Sequence, residues 1–383
     1  MAPLTSRVVA AAATAVTRAG LAVAIVDGPG GPVVGENGSS ARPAQRKWCV
    51  RLLLVVLVVS GLILAACGVP TDQRPTATAA GPTVRSGVPA MVIPESTWAR
   101  GRVRIDYPDG LAALGGAVFV KTDDGHVVRV QAASRTVGAD VKVDTTRDPD
   151  HYCQGIGTDG RTLWACSAAD SGTTNLVELD PETLQVRATV RIDKIFDQLA
   201  IPIVGRTAWV LTGTGSTLTA LDTVTRRTRS YPLGRRCLQV AATTRTVYLT
   251  CRLSNEVVAL APGSGKIRRI ARVDAPVNVV AGPDGVWVSG SGGLVRLSAD
   301  LQVLETYPGL LAGPDGDLLL TSGSLWIRQG AGFLLRLDTT RSVVAARYAI
   351  DPLPSGGSLL EVGKEIWTSS YDDDLVLVVD ARR

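Results

Sequence analysis

The chain has 383 residues, of which 45% are hydrophobic and 20% are charged. Its formal net charge is +5, but six of the 40 basic residues and only two of the 35 acidic ones lie in residues 1–67. The remainder is therefore close to neutral, and it carries no basic stripe interleaved with aromatic side chains. These features exclude nucleic acid as an expected partner.

The N-terminal 66 residues divide into two segments. Residues 1–45 contain small residues, Gly and Pro without a convincing apolar core, which predicts a disordered leader or a start codon placed too far upstream. In residues 46–66, Arg46, Lys47 and Arg51 precede an apolar run from Leu52 to Ala66. A charged segment followed by an apolar run of this length predicts a signal peptide.

The apolar run ends in Leu64-Ala65-Ala66-Cys67, which resembles the bacterial lipobox. That resemblance implies cleavage before Cys67 and acylation of its thiol, so membrane lipid is an expected partner and the outer face of the cytoplasmic membrane the expected location. The alternative is an uncleaved anchor helix. Residues 67–97 are rich in Pro, Thr, Ala and Gly, which predicts a flexible tether between lipid and domain.

Residues 98–383 contain a repeat marked by an aromatic residue that opens a short apolar strand. The gaps between successive copies are close to 40 residues, and four strand-length segments fit each period. This pattern predicts an all-β, seven-bladed β-propeller. The seven aromatic positions are Phe119, Trp164, Trp209, Tyr248, Trp287, Trp326 and Trp367.

One copy of the repeat, residues 279–307, shows the expected order of elements. Two apolar strands flank the turn Gly282-Pro283-Asp284-Gly285, a third alternates in hydrophobicity, and a fourth is more polar. Several third strands close with an aspartate, such as Asp180, Asp222 and Asp338. We expect each to begin a turn by bonding the backbone two residues on.

The last copy of the repeat lacks a fourth strand before the chain ends. Residues 99–106 resemble the fourth strand at residues 185–193. We therefore expect the N-terminal strand to complete the last blade, which closes the ring and removes its exposed edges.

The run Gly285-Val286-Trp287-Val288, a Gly-rich turn and Leu294-Val295-Arg296-Leu297 together resemble the repeat of YVTN, NHL and virginiamycin-lyase-like propellers. The resemblance covers roughly residues 98 to 383. It implies the fold but leaves the function open, because such propellers serve as lyases, dehydrogenase scaffolds, sensors and protein-binding platforms.

Four cysteines follow the lipobox: Cys153, Cys166, Cys237 and Cys251. Each successive pair falls on the first two strands of one blade, so the repeat geometry predicts the disulfides Cys153–Cys166 and Cys237–Cys251. A zinc site is the alternative, but its tight Cys-x-x-Cys spacing is missing. Disulfides agree with an exported location.

The loops between the second and third strands and those joining blades should share one face of the ring. On that face the sequence places a candidate ligand-binding group. Several closely spaced carboxylates in this group can hold Ca²⁺. A solvated acidic rim is the favoured interpretation, so no cofactor is expected and no metal is assigned. The group consists of Asp123, Asp124, His126, His151, Tyr371, Asp372, Asp373 and Asp374.

Two functions from different classes remain open. The favoured one is a membrane-anchored, monomeric lipoprotein whose propeller binds a protein, peptide or envelope ligand without catalysis. The alternative is an exported metal-assisted lyase or hydrolase with a site at the central channel. His126 and His151 are the only candidate general bases, and no residues match the His-containing site that the resemblance to virginiamycin lyases implies. No catalytic residue is therefore assigned.

Overall fold

The computed structural model describes residues 92–94, 97, 99–146, 153–170, 172–195, 198–311, 316–329, 333–349 and 357–381. All of them belong to one compact unit, Thr78–Arg383. Across these residues the structure contains no helix long and apolar enough to cross a membrane. Cys67, like the leader and the signal segment, lies outside the described residues.

The unit is a seven-bladed β-propeller, as the sequence predicts. Each blade contains four antiparallel strands, of which the first is innermost and the fourth lies toward the outside. In blades 1 to 3 the strands are Pro108–Leu114, Ala117–Thr122, His126–Gln131 and Thr136–Lys142; Ile156–Thr158, Leu163–Ala168, Thr174–Leu179 and Val186–Ile192; and Ile203–Val204, Thr207–Thr212, Thr217–Asp222 and Thr228–Pro232.

Blades 4 to 6 repeat this order with small changes of length. Blade 4 also has a short 3₁₀ turn, Arg252–Ser254, between its second and third strands. The strands are Gln239–Ala242, Val247–Cys251, Glu256–Leu260 and Ile267–Arg272; Val279–Gly282, Gly285–Gly290, Gly293–Leu297 and Val303–Pro308; and Leu318–Thr321, Ser324–Gln329, Phe333–Asp338 and Val343–Ala349.

Blade 7 joins the two ends of the fold. Its first three strands are Leu359–Val362, Glu365–Ser370 and Leu375–Asp380, with a 3₁₀ turn at Tyr371–Asp373. Its fourth strand is the N-terminal segment Ala99–Arg104, which runs antiparallel to the third. The predicted closure is thus confirmed.

A fifth strand extends blade 6, and the sequence pattern did not predict it. Val92–Ile93 pairs in parallel with the outer strand Val343–Ala349. These two residues fall within the predicted tether, because two residues are too few to show the alternation that marks a strand.

The core lies between neighbouring blades rather than within one sheet. Trp326 of blade 6 packs with Ile366 and Leu377 of blade 7, and Trp367 of blade 7 packs with Val118 and Val130 of blade 1. All seven repeat aromatics are at most 3% exposed, so they supply core area. The outer strands face solvent; in Thr136–Lys142, for example, six of the seven residues are exposed.

Polar groups at the inner ends of the blades bond from one blade to the next. The Asn278 amide Nδ2 donates to the Gly316 carbonyl at 2.7 Å. One blade on, the Asp317 carboxylate accepts from the amide of Leu359 at 2.9 Å, and the Ser369 hydroxyl donates to the Asp109 carbonyl at 2.6 Å. These contacts satisfy buried polar groups and fix the angle between blades.

The aspartates that close the third strands act as predicted. Asp180 accepts from the amides of Glu182 and Thr183, both at 2.8 Å. Asp222 and Asp338 repeat the arrangement with the amides two and three residues on. The Thr225 amide is the main cause that lowers the pKa of Asp222 to about 2. These carboxylates are therefore structural.

Candidate functional site

One face of the ring, which we call the upper face, carries the loops between second and third strands and the links between blades. At the junction of blades 7 and 1, three of these segments meet. The rings of Tyr107 and Tyr371 lie there with centroids 5.6 Å apart. We call this group the acidic region; it comprises Asp106, Tyr107, Asp123, Asp124, Tyr371, Asp372, Asp373 and Asp374.

Asp374 holds two of these segments together. Its backbone is left-handed, with φ of 53°, and closes the 3₁₀ turn. Its carboxylate accepts from the Tyr107 amide at 3.0 Å, and its carbonyl accepts from the Ile105 amide at 3.0 Å. The side chain therefore fixes the link between blades.

Asp123 and Asp124 are also engaged within the fold. The Gln154 amide Nε2 donates to Asp123 Oδ1 at 3.0 Å, and the Thr122 hydroxyl donates to the carboxylate of Asp124. The Asp123 amide donates to the Tyr107 carbonyl at 3.0 Å. Blade 1, blade 2 and the link from blade 7 are thus joined at this point.

Asp372 and Asp373 differ in exposure. Asp372 is exposed, whereas Asp373 is half-buried and accepts from the Ser370 hydroxyl at 2.8 Å. Beneath them lies Arg328, which is 1% exposed. Burial lowers the pKa of Arg328 to about 10, and the charge of Asp373 opposes that fall. Part of the acidic charge therefore balances a buried guanidinium.

A second buried cation lies beneath Asp124. Lys121 has a fully buried side chain, and its Nζ lies 3.3 Å from Asp144 Oδ1. Asp144 also accepts from the amides of Cys153 and Ala168, each at 3.3 Å. Burial lowers the pKa of Lys121 and raises the pKa of Asp144, while the attraction between the two opposes both shifts.

Lys121 and Arg328 occupy the same position of the repeat, two residues after the aromatic. The hydrophobic pattern does not predict their common role, although an alignment of the seven repeats contains two cations in an otherwise uncharged column. The other blades carry Cys166, Leu211, Thr250, Ser289 and Ser369 there. Blades 1 and 6, which flank blade 7, are thus the two with a cation at this position of the repeat.

Of the two predicted histidines, His126 lies in the described part of the chain. His126 opens the third strand of blade 1, and its Nδ1 lies 2.8 Å from Asp140 Oδ1 on the outer strand. Its ring is thus turned toward the outer strand. His151 lies outside the described residues. Within the described ranges, no group of three or more His, Cys, Asp or Glu side chains is placed to hold a metal.

The structure contains both predicted disulfides. Cys153–Cys166 lies in blade 2 with Cα atoms 5.5 Å apart, and Cys237–Cys251 lies in blade 4 with Cα atoms 3.8 Å apart. The second lies directly below the loop Arg252–Asn255, which corresponds in blade 4 to Tyr371–Asp374 in blade 7.

The fold is that of the virginiamycin-lyase-like seven-bladed propellers. Virginiamycin B lyase from Staphylococcus aureus, solved in selenomethionine form, matches with a TM-score of 0.59 and 13% identity over 73% of this chain and 98% of that one. A streptogramin B lyase matches with a TM-score of 0.59 and 12% identity over 73% and 94%. At these identities the likeness shows the fold alone.

A weaker likeness is to BamB from Moraxella catarrhalis, with a TM-score of 0.48 and 14% identity over 72% of this chain and 86% of that one. It carries no argument about function. No protein-family model and no curated protein matches the chain.

Proposed function

We propose that the protein is a lipid-anchored envelope protein whose propeller binds another protein, without catalysis, through the acidic region. The observation that carries the proposal is the combination of exposed carboxylates with a fixed tyrosine pair. Tyr107 is 47% exposed and Asp372 is exposed. Bonds from Asp374 and Asp123 hold the surrounding backbone in place.

This arrangement suits a cationic segment of a partner protein. Carboxylates attract Lys and Arg side chains, and tyrosine faces add cation–π attraction when a guanidinium or ammonium lies over them. Because the loops are already ordered by internal bonds, little conformational entropy is lost on binding. Functional loops on a rigid scaffold commonly work in this way.

Two features support the proposed location. The sequence Leu64-Ala65-Ala66-Cys67 resembles a lipobox, which supports acylation of Cys67. The disulfides Cys153–Cys166 and Cys237–Cys251 suit an oxidising compartment outside the cytoplasm. Replacing Cys67 by Ala should release the protein from membranes or block its processing. Unchanged mass and fractionation would contradict the anchor.

Binding can be tested with a photoreactive residue placed at Tyr107 in the full-length chain in intact cells. Crosslinked species are identified by mass spectrometry and compared between Asp372→Asn/Asp373→Asn and a control, Asp284→Asn/Asp300→Asn. The control neutralises two exposed aspartates in loops at the other face of blade 5. A specific crosslink should weaken at least fivefold in the first variant and persist in the second.

Equal loss in both variants would indicate a non-specific charge effect and contradict the proposal. Asp374 is left unchanged because it holds the Tyr107 amide. A turnover that disappears with Asp372→Asn/Asp373→Asn would replace the binding role by the metal-assisted enzyme.

A further inference from the structure

A pocket of about 430 Å³ opens on the upper face between blades 3 and 4, on the other side of the ring from the acidic region. We propose that it binds the C-terminal carboxylate of a peptide together with the apolar side chain next to it. This goes beyond the proposed function, since it uses a different part of the face and a ligand of opposite charge. The pocket is lined by Thr214, Arg236, Cys237, Leu238, Arg252 and Leu253.

Two guanidinium groups give the pocket its charge. Arg236 Nε donates to the Thr214 carbonyl at 3.1 Å, which orients the guanidinium and leaves its terminal N–H groups available. Arg252 is exposed, and neither arginine forms an ion pair with any part of the chain that the structure describes. The nearby carboxylate, Glu256, is already shared by Arg235 and Arg272. Among the described residues, the positive charge of the pocket is therefore uncompensated.

An apolar surface lies beside these cations. Leu253 is 77% exposed, the highest value among the large exposed hydrophobic residues in the described part of the chain. The half-buried Leu238 forms another part of the lining. An isolated exposed leucine is unremarkable in a protein surface. Here it stands at the rim of a pocket with two available guanidinium groups, so the pocket pairs charge with an apolar contact.

The pocket is also rigid. Cys237 is bonded to Cys251, its amide donates to the Gly215 carbonyl at 2.9 Å, and the Leu238 amide donates to the Thr250 carbonyl at 2.8 Å. Asn255, in the left-handed region with φ of 53°, ends the turn that carries Arg252 and Leu253. Such preorganisation reduces the entropy lost on binding.

These features select the class of ligand. A planar guanidinium bonds a carboxylate through two parallel N–H groups. A free phosphate would use the arginines but leave Leu253 without a role, whereas a peptide C-terminus offers a carboxylate and an adjoining side chain together. The volume lies within the ~300–1,000 Å³ typical of small-ligand sites, and capture of a terminal carboxylate is a known mode of peptide recognition.

The test measures arginine modification in the full-length protein in detergent micelles. Phenylglyoxal is applied, and the modification rates of Arg236, Arg252 and the exposed control Arg191 are followed by peptide mass spectrometry. The probe is N-acetyl-Ala-Ala-Leu with a free carboxylate, and its C-terminal amide is the control. We expect the probe to bind with a dissociation constant of about 1 mM. At 10 mM it should then slow the modification of Arg236 and Arg252 about tenfold and leave the modification rate of Arg191 unchanged.

Two variants separate this site from the acidic region. Leu253→Ser, an exposed change that should leave folding intact, should reduce the protection at least threefold. Asp372→Asn/Asp373→Asn should leave it unchanged, so the proposal can fail or hold independently of the proposed function. Absence of protection, equal protection by the amide, or equal protection by inorganic phosphate would overturn the proposal.

Discussion

The loops Arg252–Asn255 of blade 4 and Tyr371–Asp374 of blade 7 share one backbone conformation and carry opposite charges. Each is a 3₁₀ turn ended by a left-handed residue with φ of 53°. Asn255 Oδ1 accepts from the Ala275 amide at 2.9 Å, just as Asp374 Oδ1 accepts from the Tyr107 amide at 3.0 Å. The repeat thus fixes the loop shape, and the residues between its fixed points decide the chemistry.

The two regions also differ in the buried groups that lie beneath them. Beneath the acidic region lie the buried cations Lys121 and Arg328, whereas beneath the blade 4 loop lies the disulfide Cys237–Cys251. Buried charges require compensation by nearby carboxylates, and a disulfide does not. Part of the negative charge at blades 7 and 1 is therefore structural, whereas Arg252 in the blade 4 loop is paired with no carboxylate of the described residues.

The largest effect should come from the ion pair under the acidic region. Asp144→Asn leaves the fully buried Lys121 without its carboxylate and should lower the free energy of unfolding by about 3–5 kcal/mol in chemical denaturation. The folded variant then favours neutral Lys121, while the unfolded chain still protonates it. The unfolded state thus binds more protons, and the variant should regain stability as pH rises toward 10.

Lys121→Met/Asp144→Asn is the control for this pair. It removes both charges and should recover most of the lost stability. A double variant as unstable as Asp144→Asn alone would show that the aspartate matters through its bonds to Cys153 and Ala168 rather than through Lys121.

Under the blade 4 loop, Cys237→Ala/Cys251→Ala should cost about 3 kcal/mol, because the crosslink closes a loop with a sequence separation of 14. It should also abolish protection of Arg236 and Arg252 by the peptide probe. The matched variant Cys153→Ala/Cys166→Ala should cost a similar amount and leave the protection intact. If the probe still protects the two arginines after loss of Cys237–Cys251, the pocket does not depend on the disulfide for binding.

The junction of blades 6 and 7 should contribute a pH dependence of stability through Asp317. Burial raises the pKa of Asp317 to about 6, against its usual 3.8. Between these values the folded state holds a proton that the unfolded state has lost, so stability falls as pH rises through this window. We expect the protonation of Asp317 to contribute about 2 kcal/mol to the free energy of unfolding, a value reduced because Asp317 is only half-buried.

Asp317→Asn should remove that fall, which denaturation curves between pH 3.5 and about 7 would measure. Asparagine suits this position of the repeat, because the equivalent residue of blade 5 is Asn278, which bonds the next blade through Nδ2. An unchanged slope in the variant would assign the pH dependence to other carboxylates.

The smallest effects should be alike in both loops. Asn255→Ala and Asp374→Ala each lose one bond to a backbone amide and place alanine in the left-handed region, for a cost of about 1–2 kcal/mol. The swaps Asn255→Asp and Asp374→Asn should each stay within about 0.5 kcal/mol, because both residue types tolerate this backbone. Thermal unfolding would reveal any inequality, which would mean that charge helps to shape the loop.

The repeat made much of this structure predictable. An aromatic every 40 residues or so, an aspartate at the end of the third strand and a missing last strand predicted the blades, the turns and the closure correctly. Periodicity carries this information because every blade solves the same packing problem. The disulfide pairing followed from the same geometry, since equivalent positions in two blades place their cysteines on adjacent strands.

Other features depend on contacts that a repeat cannot show. Lys121 and Arg328 interrupt apolar strands, and the charges of the neighbouring Asp144 and Asp373 favour their buried cationic forms. The bond from His126 to Asp140 depends on the register between two strands. The pocket beside Leu253 is lined by residues from blades 3 and 4 and from the segment that joins them, so the sequence of any one segment does not predict it.

The closing strand also has a consequence for how the molecule is made. Arg100 and Asp380 form an ion pair across a sequence separation of 280, and the whole pairing of Ala99–Arg104 with Leu375–Asp380 is equally remote. Synthesis delivers the first of these strands well before the second, so an emerging chain keeps an unpaired strand edge until the seventh blade is complete. Contacts this distant slow folding. Two molecules emerging side by side can exchange the segment, so domain-swapped dimers are the expected by-product of crowded synthesis.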